Sequence, residues 1–346
     1  MDKAAQWLKK NTYHYTRFAD LDDLMRRKER QGLSISLCIP TLNEAGTIAP
    51  LVTRLRTTLR DHCPLLDEIA VIDSGSEDRT LELAAEAGAA VHRAADILPG
   101  LGRYSGKGEN LWKAVYQLRG DILVFLDGDV TTVHPGYVTG LVGPLLYRPE
   151  IGYVKSFYDR TAGPPHSDNP FAGGGRVTEL LVRPFFSLYF PELTAFIQPL
   201  SGEYAARRGI LEQLCFPVGY GVETAHLIDI HHKYGLPCLA QTDLDQRHHR
   251  CRSTTELGRM AFAILQVLNR RLLLRGVLRN EPEGGQVLRQ FQQQKGTYRQ
   301  VAYRIEEYER PPMQEVPAYH LKWGLDWSRR RFRSMAMSTA RGAPCA

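Results

Sequence analysis

Short apolar runs alternate with amphipathic stretches through the first 130 positions. Residues 34–39, 68–72, 89–92 and 122–126 each read as a buried strand. Between them, Ile48, Leu51, Val52, Leu55 and Leu59 recur at helical spacing over 47–59, and helices are expected over 78–87 and 108–117. Strand and helix in strict alternation predict an α/β fold with a parallel sheet covered on both faces. After Asp129 the pattern loosens. Strands are expected over 152–158, 202–206 and 237–241, and helices over 222–234 and 255–274, with another opening near Arg176 and limited by Pro184. Residues 159–175, rich in Gly, Pro and Ser, read as a long loop of the kind that is often functional. Residues 1–33 mix aromatics with charges and read as a helical extension. Residues 281–346 are Gln- and Arg-rich with little periodicity and read as a partly disordered extension. No internal repeat is visible.

Composition narrows the class only a little. The chain has 346 residues, 43% hydrophobic and 24% charged, which suits a globular protein. Its net charge of +6 favours anionic ligands in general. The cluster Arg329-Arg330-Arg331 with Arg333 reads as a solvated tail, and no nucleic-acid partner is expected. Six cysteines lack the spacing of a zinc site or a disulfide scaffold, so reduced thiols in a cytoplasmic protein are expected. The N-terminus has no apolar signal region, no run is long enough to span a bilayer, and no membrane association is expected.

The polar residues that close the strands carry the chemistry. Open α/β sheets bind ligands beyond the carboxyl ends of their strands. Here those ends are Pro40-Thr41-Leu42-Asn43-Glu44, Asp73-Ser74-Gly75-Ser76, a glycine-rich loop over 100–108 holding Arg103 and Lys107, and Asp127-Gly128-Asp129. Asn43, Glu44 and Asp73 can accept hydrogen bonds from a base and ribose. Lys107 can meet a phosphate as a point charge. Asp127 and Asp129 can supply a hard-cation ligand and a ribose contact. Taken singly, Asn43, Ser74 and Ser76 read as turn or capping residues. A glycine-rich loop opening a helix at Gly175 offers backbone N–H groups to an anion, Arg176 adds a bidentate cation, and Thr178 a hydroxyl. In the run Arg247-His248-His249-Arg250-Cys251-Arg252, either histidine could serve as a neutral metal ligand, and spacing does not choose between them.

Pro-x-Leu-Asn-Glu, Asp-Ser-Gly-Ser and Asp-x-Asp after successive strands resemble a nucleotide-sugar glycosyltransferase of the GT-A fold. Gly173-Gly174-Gly175-Arg176-Val177-Thr178-Glu179-Leu180, Gly219-Tyr220-Gly221-Val222-Glu223 and the 247–252 run narrow the resemblance to the glucosyl-3-phosphoglycerate synthase family, over residues 34–275. That resemblance implies retaining transfer of glucose from UDP-glucose to the 2-hydroxyl of 3-phosphoglycerate. It implies a divalent cation, usually magnesium, with manganese or cobalt as substitutes, and a homodimer. It implies a nucleotide-sugar-binding subdomain over 34–150 and an acceptor-binding subdomain over 151–280.

By motif, Pro40, Thr41, Leu42, Asn43, Glu44, Ser74 and Lys107 would bind the uridine diphosphate. Asp127, Tyr220, Glu223, Arg247 and Arg252 would line the donor pocket. Gly175, Arg176, Val177 and Thr178 would hold the acceptor. Asp129 and His249 would hold the metal. Glu223, Asp127, Lys107 and Arg252 would be the catalytic set, with Glu223 holding sugar hydroxyls. Thr41 and Gly128 stand where the family often has Ala and Ser, and His248 replaces a small residue. GDP-mannose or another acidic acceptor would leave the same motifs. Two other classes could be built on the same nucleotide half. An inverting polyprenyl-phosphate transferase would need an apolar surface that is not visible, and a non-catalytic nucleotide-sugar binder could dispense with the 175–178 loop.

Overall fold

The expected alternation becomes a continuous sheet in the computed structural model, which describes residues 3–159, 175–247, 253–282, 284–294 and 296–324. The strands are β1 (Thr12–His14), β2 (Ile35–Thr41), β3 (Glu68–Asp73), β4 (Ala90–Arg93), β5 (Ile122–Phe125), β6 (Tyr153–Asp159), β7 (Tyr204–Arg207), β8 (Phe216–Pro217), β9 (Leu239–Gln246), β10 (Val287–Gln294), β11 (Thr297–Arg304) and β12 (Glu309–Arg310). Eight of them form one sheet in the order β1-β9-β6-β7-β5-β2-β3-β4. β7 runs antiparallel between β5 and β6, and the other pairings are parallel. The boundary expected at residue 150 therefore falls inside a single sheet.

Alternation along β5 sets the two layers. Leu123 and Phe125 pack with Leu111, Trp112 and Val115 of the helix Lys107–Gln117 on one face. Ile122, Val124 and Leu126 pack with Leu51, Val52 and Leu55 of the helix Ile48–Arg56 on the other. Both faces of the central strands are covered, which is why they read as unbroken apolar runs. From β2 the chain builds outward to β3 and β4 on one side and crosses to β5 on the other. This reversal opens a crevice at the carboxyl ends of β2 and β5, the place where such sheets bind ligands.

Several elements depart from expectation. The N-terminal stretch supplies helices at Lys3–Asn11 and Leu21–Gln31, but also the edge strand β1, paired with β9. The helix Gly136–Tyr147 is nearly all buried, so it shows no amphipathic period. Residues beyond 281 are organised as far as 324. β10 and β11 make an antiparallel hairpin, β12 pairs with β8, and Met313 and Tyr319 enter the core. The hairpin is largely exposed on both faces, so no alternation of apolar and polar residues announces it. Cys38, Cys63 and Cys238 are free thiols, whereas Cys215 is disulfide-bonded, against the expectation of reduced thiols throughout.

Candidate active site

The crevice is lined first by the turn after β2. Asn43 adopts a left-handed φ of 58°, which Asn tolerates better than most residues. Its N–H donates to Ser76 Oγ at 2.8 Å, and its Oδ1 accepts from Glu77 N–H at 2.9 Å. Asp73 is fully engaged by its own turn. Oδ1 accepts from the N–H groups of Gly75 and Ser76, and Oδ2 from the hydroxyls of Thr41 and Ser76. Asp73 is buried, so it organises the strand ends and has no free acceptor for a base or ribose. Ser74 N–H donates to Thr41 O, and Leu42 stands exposed at the rim.

The second wall is the start of the helix Lys107–Gln117. Gly108 lies so close to the segment before Gly219 that a Cβ there would sit 1.8 Å from Pro217 O. The close approach lets Glu109 N–H donate to Val218 O at 3.1 Å. It fixes Lys107, the first helical residue, at the mouth of the crevice.

These walls bring the charged residues together. Lys107 Nζ lies 2.5 Å from Asp127 Oδ1 and 3.1 Å from Glu223 Oε1, and donates to Gly202 O at 3.3 Å. Arg247 bridges Asp129 Oδ1 at 2.9 Å and Asp127 Oδ2 at 3.3 Å through Nη2. Its Nη1 pairs with Glu203 Oε1 at 2.9 Å and donates to Tyr158 OH at 2.7 Å. Gly202 admits this packing, since a Cβ there would sit 1.9 Å from Asp127 Oδ2.

The charges reinforce one another. Burial pushes the Asp127 carboxyl up, but Lys107 and Arg247 outweigh it and hold the group well below the usual carboxylate range. Burial pushes Lys107 down, yet Asp127 and Glu223 more than restore its charge. Glu44 is raised by burial and then by Asp129 and Asp127. Three carboxylates therefore crowd this end of the crevice, an excess of negative charge that suits a divalent cation. Among the described residues no three His, Cys, Asp or Glu side chains form a metal cage unaided. A cation shared between a carboxylate and substrate phosphates needs no such cage.

The acceptor residues open a helical segment further along. Gly175 has φ +97°, Arg176 Nη1 reaches Thr254 Oγ1 at 3.4 Å, and Thr178 is buried. Val177 packs its side chain into the core. No described contact joins these residues to the Lys107 cluster. His248, His249 and Arg252 lie outside the described residues, as do Gly173 and Gly174. Tyr220 stands 43% exposed beside the cluster's helix Val222–Tyr234, with room to meet a ligand.

Sequence reasoning passed over Glu203 and Lys155. Glu203 is a lone acid ahead of β7, and only the antiparallel insertion of β7 beside β5 carries it to Arg247. Lys155 is fully buried on β6. Burial lowers its ammonium to about 8, with Glu223 opposing the shift.

A family model described as Glycosyl transferase family 2 matches residues 36–213. The glucosyl-3-phosphoglycerate synthase of Petrotoga mobilis is 49% identical over 317 residues, covering 92% of this chain and 97% of that protein. A crystal structure of the Mycobacterium tuberculosis glucosyl-3-phosphoglycerate synthase, in complex with Mn2+, UDP and phosphoglyceric acid, is 39% identical. It superposes with a TM-score of 0.75, covering 85% of this chain and 94% of that one. The mannosyl-3-phosphoglycerate synthase of Rubrobacter xylanophilus is 36% identical and superposes with a TM-score of 0.83, covering 90% and 98%.

Proposed function

The chain belongs to glycosyl transferase family 2, and on that premise we propose that it moves glucose from UDP-glucose to the 2-hydroxyl of 3-phosphoglycerate, retaining the anomeric configuration. The observation that carries this reading is the Lys107–Asp127–Glu223 cluster at the sheet's reversal point, in a chain that matches a relative of that name over 97% of its length. Pro40 to Glu44 and Ser74 cradle the uridine end of the donor. Tyr220, Arg247 and Arg252 close around it. Gly175, Arg176, Val177 and Thr178 take the acceptor's phosphate and carboxylate. Residues 34–150 thus serve the donor, while 151–280 hold the acceptor and also close the donor pocket, on one shared sheet.

Asp129 and His249 would hold a divalent cation, magnesium or manganese, which supplies neutralisation of the diphosphate leaving group. Lys107 stands where it can add its charge to the same group. Asp127, held ionised, accepts hydrogen bonds from donor hydroxyls. Glu223 orients the sugar. A covalent route would need a free carboxylate nucleophile. Glu223 Oε1 is bound by Lys107, and Asp127 by both Lys107 and Arg247. This pairing favours a front-face displacement in which a diphosphate oxygen takes the acceptor's proton. A glycosyl adduct on Glu223, found by mass spectrometry of the wild-type enzyme, would sink that route.

The superposition on the mannosyl synthase makes GDP-mannose the competing donor. Incubation with a panel of nucleotide sugars, 3-phosphoglycerate and Mg2+, with products identified by mass and NMR, decides between them. UDP-glucose is expected to turn over fastest. Preference for GDP-mannose would overturn the donor, and transfer only to other acceptors would overturn the acceptor. A homodimer and a cytoplasmic location complete the reading. No described helix is long and apolar enough to cross a membrane. Light scattering that gives a mass near 39.1 kDa rather than twice that would remove the dimer.

A further inference from the structure

Lys155 lies on the face of β6 that packs under the helix Val222–Tyr234, fully buried, and its ammonium meets no hydrogen-bond partner among the described residues. No carboxylate among the described residues pairs with it directly. Its Nζ lies 5.1 Å from the centroid of the Tyr204 ring, which stacks on Tyr153 at 4.9 Å. His226, one helical turn after Glu223, packs edge-on to both rings, and burial holds it neutral. An unpaired buried ammonium is costly, and fixed, perturbed charges of this kind gather at working sites. The strongest opposing charge felt by Lys155 is that of Glu223. Glu223 in turn meets Lys107 at 3.1 Å on its crevice side. Among the described residues, four carboxylates, Asp127, Asp129, Glu203 and Glu223, are in contact with two cations, Lys107 and Arg247. Lys155 is the third cation of the group, placed behind it.

We propose that Lys155 is a positioning residue for glucosyl transfer that acts through Glu223, its buried charge behind the helix Val222–Tyr234 orienting that carboxylate so that Lys107 is left to Asp127 and the departing diphosphate. The inference rests on the transfer reading above. Lys155 touches neither substrate.

The test is Lys155→Met, alone and combined with Glu223→Gln, in the full-length enzyme. A merely structural lysine would lose stability on replacement and leave kcat alone. A positioning lysine should give the reverse. Lys155→Met is expected to melt at or above the wild-type temperature, since a buried charge has been removed. Its kcat should fall about ten-fold or more, with KM for both substrates within about three-fold. In the Glu223→Gln background the same change should cost less than about two-fold, because both changes act on one interaction. A folded Lys155→Met enzyme within about two-fold of wild-type kcat, or effects that multiply in the double variant, would overturn the proposal. If Lys155→Met does not fold, Lys155→Gln enters the same cycle with the same two criteria. A wild-type enzyme that transfers no glucose to 3-phosphoglycerate would remove the transfer reading itself and this proposal with it, so the wild-type control tells the two failures apart.

Discussion

Two buried ionic networks in this molecule use the same chemistry to different ends. In the C-terminal strap, residues 305–324 beyond the β10–β11 hairpin, Arg310 grips Glu109 through Nε at 2.7 Å and Nη2 at 2.6 Å. It also donates to Leu101 O and Gly102 O, and its guanidinium lies between the rings of Tyr104 and Trp112. Glu109 takes Lys113 as well, at 3.1 Å, and Lys113 donates to Ala94 O. Each nitrogen of Arg310 has a partner. At the crevice, Arg247 Nε, and behind it Lys155 Nζ, have no partner among the described residues, and the Asp129 side chain is 45% exposed. A saturated buried network has no capacity left for a ligand and serves to hold elements together. An unsaturated one keeps donors, acceptors and charge in reserve, at a cost in stability, for whatever enters.

The largest expected effect falls on the unsaturated side. Asp129→Ala should reduce metal-dependent turnover by about a thousand-fold while leaving the melting temperature close to wild type. Turnover that persists in EDTA would break the assignment of Asp129 to a cation. The saturated side predicts the opposite profile. Arg310→Met strands Glu109 with a single buried partner and should cost about 3–5 kcal/mol of unfolding free energy in urea. The kcat of the folded fraction should stay within about three-fold of wild type. A large loss of kcat with stability intact would place the strap in the site and end the contrast.

The two networks were not equally legible. Lys107, Asp127 and Asp129 follow apolar strands in a strict alternation, and the topology of such a sheet carries their side chains to one crevice. Glu223 and Arg247 arrive from the looser second half, and only their likeness to a known family pointed to them. Asp73 shows the limit of reading strand ends alone, because a turn can engage its own carboxylate completely. Glu203 and Lys155 carry no local signal, since a single polar residue within or before an apolar strand looks like an ordinary solvent-facing position. Arg310 and Glu109 lie 201 positions apart, and nothing in the periodicity of either segment announces a partner at that distance. The strap is held to the core by polar contacts and a few apolar anchors, so its order was invisible to a search for apolar faces.

The strap touches the loop before Tyr220 through Glu307, where the sharpest small effect is expected. Its Oε2 accepts from Gly219 N–H at 3.1 Å, next to Tyr220, and Gly219 leaves it no slack, because a Cβ there would sit 1.9 Å from Oε1. Burial pushes this carboxyl up from 4.5 to about 7, against the pull of the backbone N–H groups of Gly219 and Tyr220. Below about 4.5 the folded and unfolded chains both hold the proton, and the full stability is present. Between that point and about 7 only the folded chain holds it, so stability falls as pH rises through this window. The shift of about 2.5 units corresponds to roughly 3 kcal/mol. Glu307→Gln cannot ionise and keeps a hydrogen-bonding end. Urea unfolding at pH 5 and pH 8 should therefore show the wild type losing more stability than the variant across that interval. Identical pH slopes in the two proteins would show that Glu307 titrates as an ordinary surface carboxylate. The link from strap to crevice would then be steric alone.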